Sequence, residues 1–255
     1  MNTVISMLLV FAFNSFNKDV YYEIAVYILS HLDQMAHISI ENFARDCRTS
    51  TVTIKKFCRL LGVDSFKKFK ILLANTRAGR LEQIKCRYAQ LKEEEMIRQI
   101  RCLLSCPDFN SEELLNHLQN VVDMIYEARQ IYIAGASYPL ALTLNFIEDM
   151  LIFGKSIYIE QLGYQADSVT YQKDDLIIFM TMTGRLFCQN KQVFMEMYQN
   201  EAKKIMMTQN QEVLSFYHFD EYLPLYGHDD TEALNLVIVE ILNLMKYHYF
   251  KKYVG

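Results

Sequence analysis

The apolar positions of this chain change their period near residue 130. Before it they recur at steps of three and four, the spacing of amphipathic helices. After it, short unbroken apolar runs alternate with helical stretches, as in strands buried on both faces of a parallel sheet. Tyr21, Ile24, Ala25, Ile28 and Leu29 mark one helix. Ile40, Phe43, Ala44 and Cys47 mark a second, with Ser39 placed to cap it. A third opens at Thr51 behind Ser50, and buries Ile54, Phe57, Cys58 and Leu61 at i, i+3, i+4 and i+7. Cys47-Arg48-Thr49 has the length of a helix-turn-helix bend, although the glycine often found there is absent.

The outer face of that third helix then carries Val52, Lys55, Lys56 and Arg59, with Thr51 and Thr53 at its edges. Charge makes this face informative. Between Asn42 and Arg80 stand ten Lys/Arg and only two acids, in a chain whose net charge is −4. Residues 1–100 hold 15 basic and 10 acidic residues, so a basic first part adjoins an acidic second part. A basic cluster of that density on capped helices points to a polyanion, and double-stranded DNA is the partner it fits.

Downstream, residues 76–105 are polar with sparse apolar points, and Cys106-Pro107-Asp108 breaks them. They predict a linker helix. A helix follows over 111–128, then strands at 130–134, 156–160, 175–181 and 204–208, with 213–219 as a candidate fifth. Helices are expected at 140–153, 190–202 and 230–249. The expected fold class is an all-α helix-turn-helix domain joined to an α/β domain with a parallel sheet. The boundaries read as 1–76 for the DNA-binding domain, 77–107 for the linker and 108–255 for the α/β domain.

Other chemistry adds little. The apolar start, residues 4–13, lacks a positive flank and a small-residue cleavage site, so it reads as a packed or dimer-forming helix, not a signal segment. No apolar run reaches membrane-spanning length. The six cysteines show no disulfide framework and the six histidines no metal-ligand spacing, so no metal or cofactor is expected, and the compartment expected is the cytoplasm.

Phe43-Ala44, Ser50, Thr53, Lys56-Phe57-Cys58, Leu61-Gly62 and residues 66–70 (FKKFK) resemble the N-terminal domain of RpiR/MurR-type transcriptional regulators. That family joins a helix-turn-helix domain to a sugar isomerase (SIS) domain that senses a phosphosugar. Lys56 stands where the family usually has Arg, keeping the charge without the bidentate fork. The resemblance implies DNA contacts from Ser50, Thr51, Val52, Thr53, Lys55, Lys56, Arg59, Lys67 and Lys70. Val52, Lys55, Lys56 and Arg59 would face the major groove; Thr51, Thr53, Lys67 and Lys70 suit phosphates.

Two loops carry the resemblance onward: Gly135-Ala136-Ser137-Tyr138-Pro139 after the first strand, and Thr181-Met182-Thr183-Gly184-Arg185 after the third. In SIS domains these are of Gly-x-Gly-x-Ser and Ser-x-Ser-Gly-x-Thr type. Here Ser137 replaces a glycine, Pro139 a serine, and Thr181 and Thr183 the serines, while Arg185 and Leu186 stand where Glu and Thr are common. The implied phosphosugar contacts are Ser137, Thr181, Thr183, Gly184 and Arg185. Three functions stay open at this point: a phosphosugar-sensing regulator that works as a homodimer or homotetramer, a sugar-phosphate isomerase, and a regulator whose SIS-like domain only dimerises. Against the isomerase, neither Glu148 nor Glu160 forms an evident acid/base pair at these loops.

Overall fold

A computed structural model describes residues 4–15, 17–104, 109–161, 170–184, 191–227 and 232–255. The chain divides into two compact units, a helical one of residues up to Ala89 joined by Glu148–Ser156, and an α/β one of Gln90–Ile147 and Ile157–Gly255.

In the helical unit, α1 (Val4–Asn14) packs on α2 (Val20–Ser30) through Val4, Ile5, Leu8 and Leu9. Asp19 caps α2, accepting from the amides of Tyr21 and Tyr22 at 2.9 and 3.0 Å. Helices α3 (Ile40–Asp46) and α4 (Thr51–Leu60) follow. Phe43, Ile54, Phe57 and Phe69 are buried where these helices meet, and Phe43 stacks on Phe66 with ring centroids 5.6 Å apart. Gly62 ends α4 at φ +76°, a left-handed conformation open to glycine at no steric cost. There the amides of Gly62 and Val63 return to the carbonyls of Arg59 and Cys58, both at 2.9 Å, closing a Schellman motif.

Helix α5 runs unbroken from Phe66 to Gln90, so the single helix expected over 76–105 begins ten residues earlier and is interrupted after Gln90, the rest forming a separate helix, Glu93–Leu104. Its Arg80 donates through Nε (3.0 Å) and Nη2 (2.8 Å) to one oxygen of Asp149, a residue with no solvent exposure. Burial pushes the Cys58 thiol up to about 11 and the Cys47 thiol to about 12, so both stay protonated and pack as small apolar groups.

The α/β unit contains α6 (Glu93–Leu104), α7 (Ser111–Glu127), β1 (Ile131–Gly135), α8 (Ser137–Leu142), α9 (Leu144–Ile152, whose second half belongs to the helical unit), β2 (Ile157–Gln161), β3 (Leu176–Met180), α10 (Lys191–Tyr198), β4 (Lys203–Thr208), α11 (Val213–Phe216), β5 (Glu221–Pro224) and α12 (Glu232–Tyr253). The five strands form one parallel sheet in the order β2-β1-β3-β4-β5. β1 and β3 are buried at every position, which explains their unbroken apolar runs.

Two further expectations are corrected. Residues 213–219 do not add a strand: Val213–Phe216 is a short helix, with the Tyr217 amide donating to the Val213 carbonyl (3.1 Å), and the fifth strand starts at Glu221, opposite Ile205. The aromatic residues that suggested a strand, Tyr217 and Phe219, pack instead on Phe194 and Phe179. The single helix expected over 140–153 is two, because the buried Thr143 turns its hydroxyl onto the Leu140 carbonyl at 2.7 Å and interrupts the run. Among the described residues, no helix is long and apolar enough to cross a membrane.

Candidate DNA-binding face and effector loops

The DNA-facing candidate is built from the start of α4. Ser50 sits in extended backbone and its Oγ accepts from the Thr53 amide at 3.1 Å, supplying an acceptor for one of the helix's unpaired first-turn donors. Its hydroxyl also lies 3.0 Å from that of Thr53. These two expected contacts therefore already engage each other in the cap. The preceding turn is closed by the Thr49 amide on the Ala44 carbonyl at 2.8 Å, with Arg48 at φ +50°.

With Ile54, Phe57 and Cys58 turned into the core, helical geometry turns Val52, Lys55, Lys56 and Arg59 outward. Val52 is 58% exposed, high for a valine and suited to an apolar contact such as a thymine methyl. Thr51 is half-buried at the edge. Lys67 is exposed on α5. Lys70 is committed elsewhere: its Nζ donates to the Ile38 carbonyl at 2.9 Å and lies over the Phe66 ring. Lys68 pairs with Asp64 at 2.9 Å, which lowers the Asp64 carboxyl. The sequence reading missed the Lys70 tie because its acceptor is a backbone carbonyl 32 positions away.

The second candidate lies at the carboxyl edge of the sheet. The chain leaves β1 toward β2 on one side and returns to β3 on the other, so the crevice outside β1 and β3 is the topological switch point, where open α/β sheets bind ligands. The two loops singled out in the sequence are those that leave these strands. Gly135 ends β1 opposite Met180, and a Cβ there would lie 2.6 Å from the Met180 carbonyl oxygen, so only glycine fits.

Ser137 and Tyr138 are exposed at the start of α8. Ala136 is the cap position of that helix and makes no side-chain cap bond, and Pro139 falls in its first turn. Thr181 is buried at 6% exposure and its amide donates to the Met207 carbonyl at 3.0 Å. Thr183 is half-buried, and Gly184 turns the loop at φ +78°. Arg185 and Leu186 lie outside the described residues.

Residues of a third loop, after β4, complete this edge and were missed. Thr208 Oγ1 and the Gln209 amide donate to the Met182 carbonyl at 3.3 and 3.2 Å, and Asn210 Nδ2 donates to the Thr183 carbonyl at 3.2 Å. The signal available was the polar run Thr208-Gln209-Asn210-Gln211, placed after β4 as the other two loops are after their strands.

Elsewhere, Glu148 accepts from Ser6 Oγ at 2.8 Å inside the helical unit, a structural contact. An open pocket of about 370 Å³ lies at the opposite, amino edge of the sheet, lined by Met124, Ala128, Leu176 and charged residues. Its lining carries three carboxylates, Glu127, Asp174 and Asp175, against Lys173 and Lys203, and Lys203 is paired with Glu127 at 3.0 Å, so it does not suit an anion. Among the described residues, no cluster of His, Cys, Asp and Glu fit for a metal is present.

Residues 19–80 match the model of a helix-turn-helix domain of the rpiR family. No curated protein matches the chain in sequence. Among solved structures, the chain is similar to the Vibrio vulnificus NanR protein complexed with ManNAc-6P, at 15% identity and a TM-score of 0.43, over 98% of this chain and 92% of that one. It is also similar to the sugar isomerase domain of an RpiR transcription factor from Sphaerobacter thermophilus, at 12% identity and a TM-score of 0.44, over 56% of this chain and 85% of that one. A third is a hypothetical protein of Methanococcus jannaschii for which a 3-hexulose-6-phosphate isomerase function was inferred, at 21% identity and a TM-score of 0.47, over 64% and 91%.

Proposed function

We propose that the chain is a DNA-binding transcriptional regulator whose rpiR-family helix-turn-helix domain, residues 19–80, reads an operator under the control of a phosphosugar bound by the α/β unit. The observation that carries this reading is α4. A capped ten-residue helix presents Val52, Lys55, Lys56 and Arg59 outward, in the most basic segment of an acidic chain. Lys56 and Arg59 reach base edges; Lys67 holds a phosphate and fixes register. Lys70 acts through the fold, by tying α5 to Ile38.

The test is electrophoretic mobility or anisotropy on the operator selected from a random duplex pool, across a salt series. Binding that falls steeply with salt and loses sequence preference in Lys56→Ala or Arg59→Ala supports the reading; variants that bind as tightly as wild type sink it. The reading carries a two-fold dimer on two half-sites about 34 Å apart, because one helix-turn-helix offers few base contacts. Light scattering at micromolar chain tests it, and a monomeric mass rules it out.

For the effector, the switch-point crevice is lined by loops bearing Ser137, Thr181, Thr183 and Gly184, a set of hydroxyls and backbone amides that suits a phosphate better than any neutral group. A thermal-shift screen of hexose, pentose and amino-sugar phosphates identifies the ligand by its stabilisation of the native state. Thr183→Val keeps volume and removes one charge-assisted hydrogen bond, so the best hit binds about 1.5–3 kcal/mol more weakly. A screen without a hit favours the second reading, an α/β unit that serves assembly alone, which Pro139 and the uncapped α8 support. Both readings make the chain a regulator, not an isomerase, and the rpiR-family match of residues 19–80 supports them; Glu148, one of the two carboxylates weighed as a base, accepts from Ser6.

A further inference from the structure

The carbonyls of Met182 and Thr183 both point toward the β4 loop, the first accepting from Thr208 Oγ1 and the Gln209 amide, the second from Asn210 Nδ2. In an extended strand successive carbonyls alternate sides. Two in a row on one side mark a turn at Thr183, the residue between these two peptides, and Gly184 follows it in the left-handed region at φ +78°. Each trans peptide is planar with its C=O and N–H opposed. The amides of Thr183 and Gly184, which belong to these two peptides, therefore point away from β4 and toward the β1 side, into the switch-point crevice. Among the described residues neither amide has a protein acceptor. Consecutive amides converging from a turn with a left-handed residue form an anion-binding nest.

The Met182 carbonyl is held twice, once by backbone. The Thr183 carbonyl is held by a single side chain. That side chain is itself fixed, since Asn210 Oδ1 accepts from the Glu212 amide at 3.0 Å, and its backbone is anchored as well, the Asn210 main-chain N–H donating to Thr208 Oγ1 at 3.1 Å. Gly184 is packed against it, since a Cβ there would lie 3.0 Å from Asn210 Nδ2 and 3.2 Å from Val213 Cγ2.

We propose that Asn210 is the positioning residue of the anion site: by donating to the Thr183 carbonyl it holds the Gly184 amide toward the crevice. Without that donor the Thr183–Gly184 peptide is free to rotate, and the rotation replaces an N–H in the crevice with a carbonyl oxygen, which repels a phosphate. Asn210 need not touch the ligand to control its affinity. This inference rests on the phosphate-binding reading of the same loops.

The experiment titrates the full-length, ¹⁵N-labelled chain with inorganic phosphate and follows the amide signals of Thr183 and Gly184 in wild type, Asn210→Ala and Thr183→Val. In wild type both signals shift with phosphate, and Thr183→Val retains a shift at Gly184. Asn210→Ala loses about tenfold in affinity and loses the Gly184 shift, while the rest of its spectrum stays native. If wild type shows no shift at either amide, the anion site and this role fall together. If wild type shifts and Asn210→Ala binds equally well, the site stands and the role of Asn210 falls. Should Asn210→Ala not fold, Asn210→Ser decides in its place: a serine keeps an oxygen for the Glu212 amide but is too short to reach the Thr183 carbonyl. Hydrogen exchange in wild type gives an independent reading. The Gly184 amide exchanges fast alone and slowly with phosphate; slow exchange without phosphate overturns the proposed orientation.

Discussion

Helices α4 and α8 both open on short polar loops at the surfaces assigned to binding, yet they are held in opposite ways. Helix α4 has a serine cap that bonds its own first turn, ten residues, and a Schellman motif at its end. Its cap and its stop both lie between Ser50 and Val63, while its buried face rests on other helices, Phe57 against Phe11 and Tyr21. Helix α8 has six residues, an alanine at the cap and a proline in the first turn, and the loop beside it is pinned by residues that come some 27 positions later. A surface whose helix ends are set by adjacent residues depends less on the rest of the chain for where it begins and stops. A surface held from a distance can be reset by whatever moves its supports, which suits a sensing site as the first arrangement suits a DNA-reading one.

The helical unit is not held by local contacts alone, because Arg80 and Asp149 join segments 69 positions apart. Asp149→Ala leaves the Arg80 guanidinium facing a nearly dry site without its partner, and is expected to cost about 3–5 kcal/mol. Urea unfolding followed by a probe in the helical unit measures it; a loss below about 1 kcal/mol, the range of exposed pairs, would show that the tie is ornamental. Next come Lys56→Ala and Arg59→Ala, each expected to weaken the operator complex by about 1–3 kcal/mol and to relax its sequence preference.

A smaller effect separates cap from contact. Ser50→Ala should destabilise α4 by about 1 kcal/mol. It should also weaken DNA binding, because the cap sets where the basic face begins; an unchanged melting curve with reduced affinity would make Ser50 a direct contact instead. Smallest is Lys67→Ala, which should weaken all duplexes alike and lower the slope of log affinity against log salt by about 1. Lys70→Ala should leave that slope unchanged and lower the melting temperature, since its amine is spent on Ile38.

What was legible in the sequence follows the same division. The caps at Ser39 and Ser50, the stripe Ile54–Phe57–Cys58 and the four main strands are where periodicity placed them, because each depends on neighbours within a turn or on burial of both strand faces. The misread elements depend on remote partners. Residues 213–219 have strand-like composition, but their aromatic side chains answer to Phe179 and Phe194, and the edge of β4 is taken by Glu221–Pro224. Of the effector loops, Gly184 could be picked out as a turn residue, whereas Asn210 could not be assigned to it: no local pattern says which strand end a polar run will lie against.

The Glu148–Ser156 segment has a consequence for how the chain is made. A ribosome delivers Arg80 long before Asp149, and residues 90–147 must emerge between them. At about 5–20 residues per second the interval from Arg80 to Asp149 is about 3–14 s. For those seconds the nascent helical unit lacks the piece that neutralises Arg80, although the segments that form α2, α3 and α4 are all present. The face proposed to read DNA is thus translated before the unit that carries it can be finished, and its completion waits on a segment encoded beyond the first strand of the sheet.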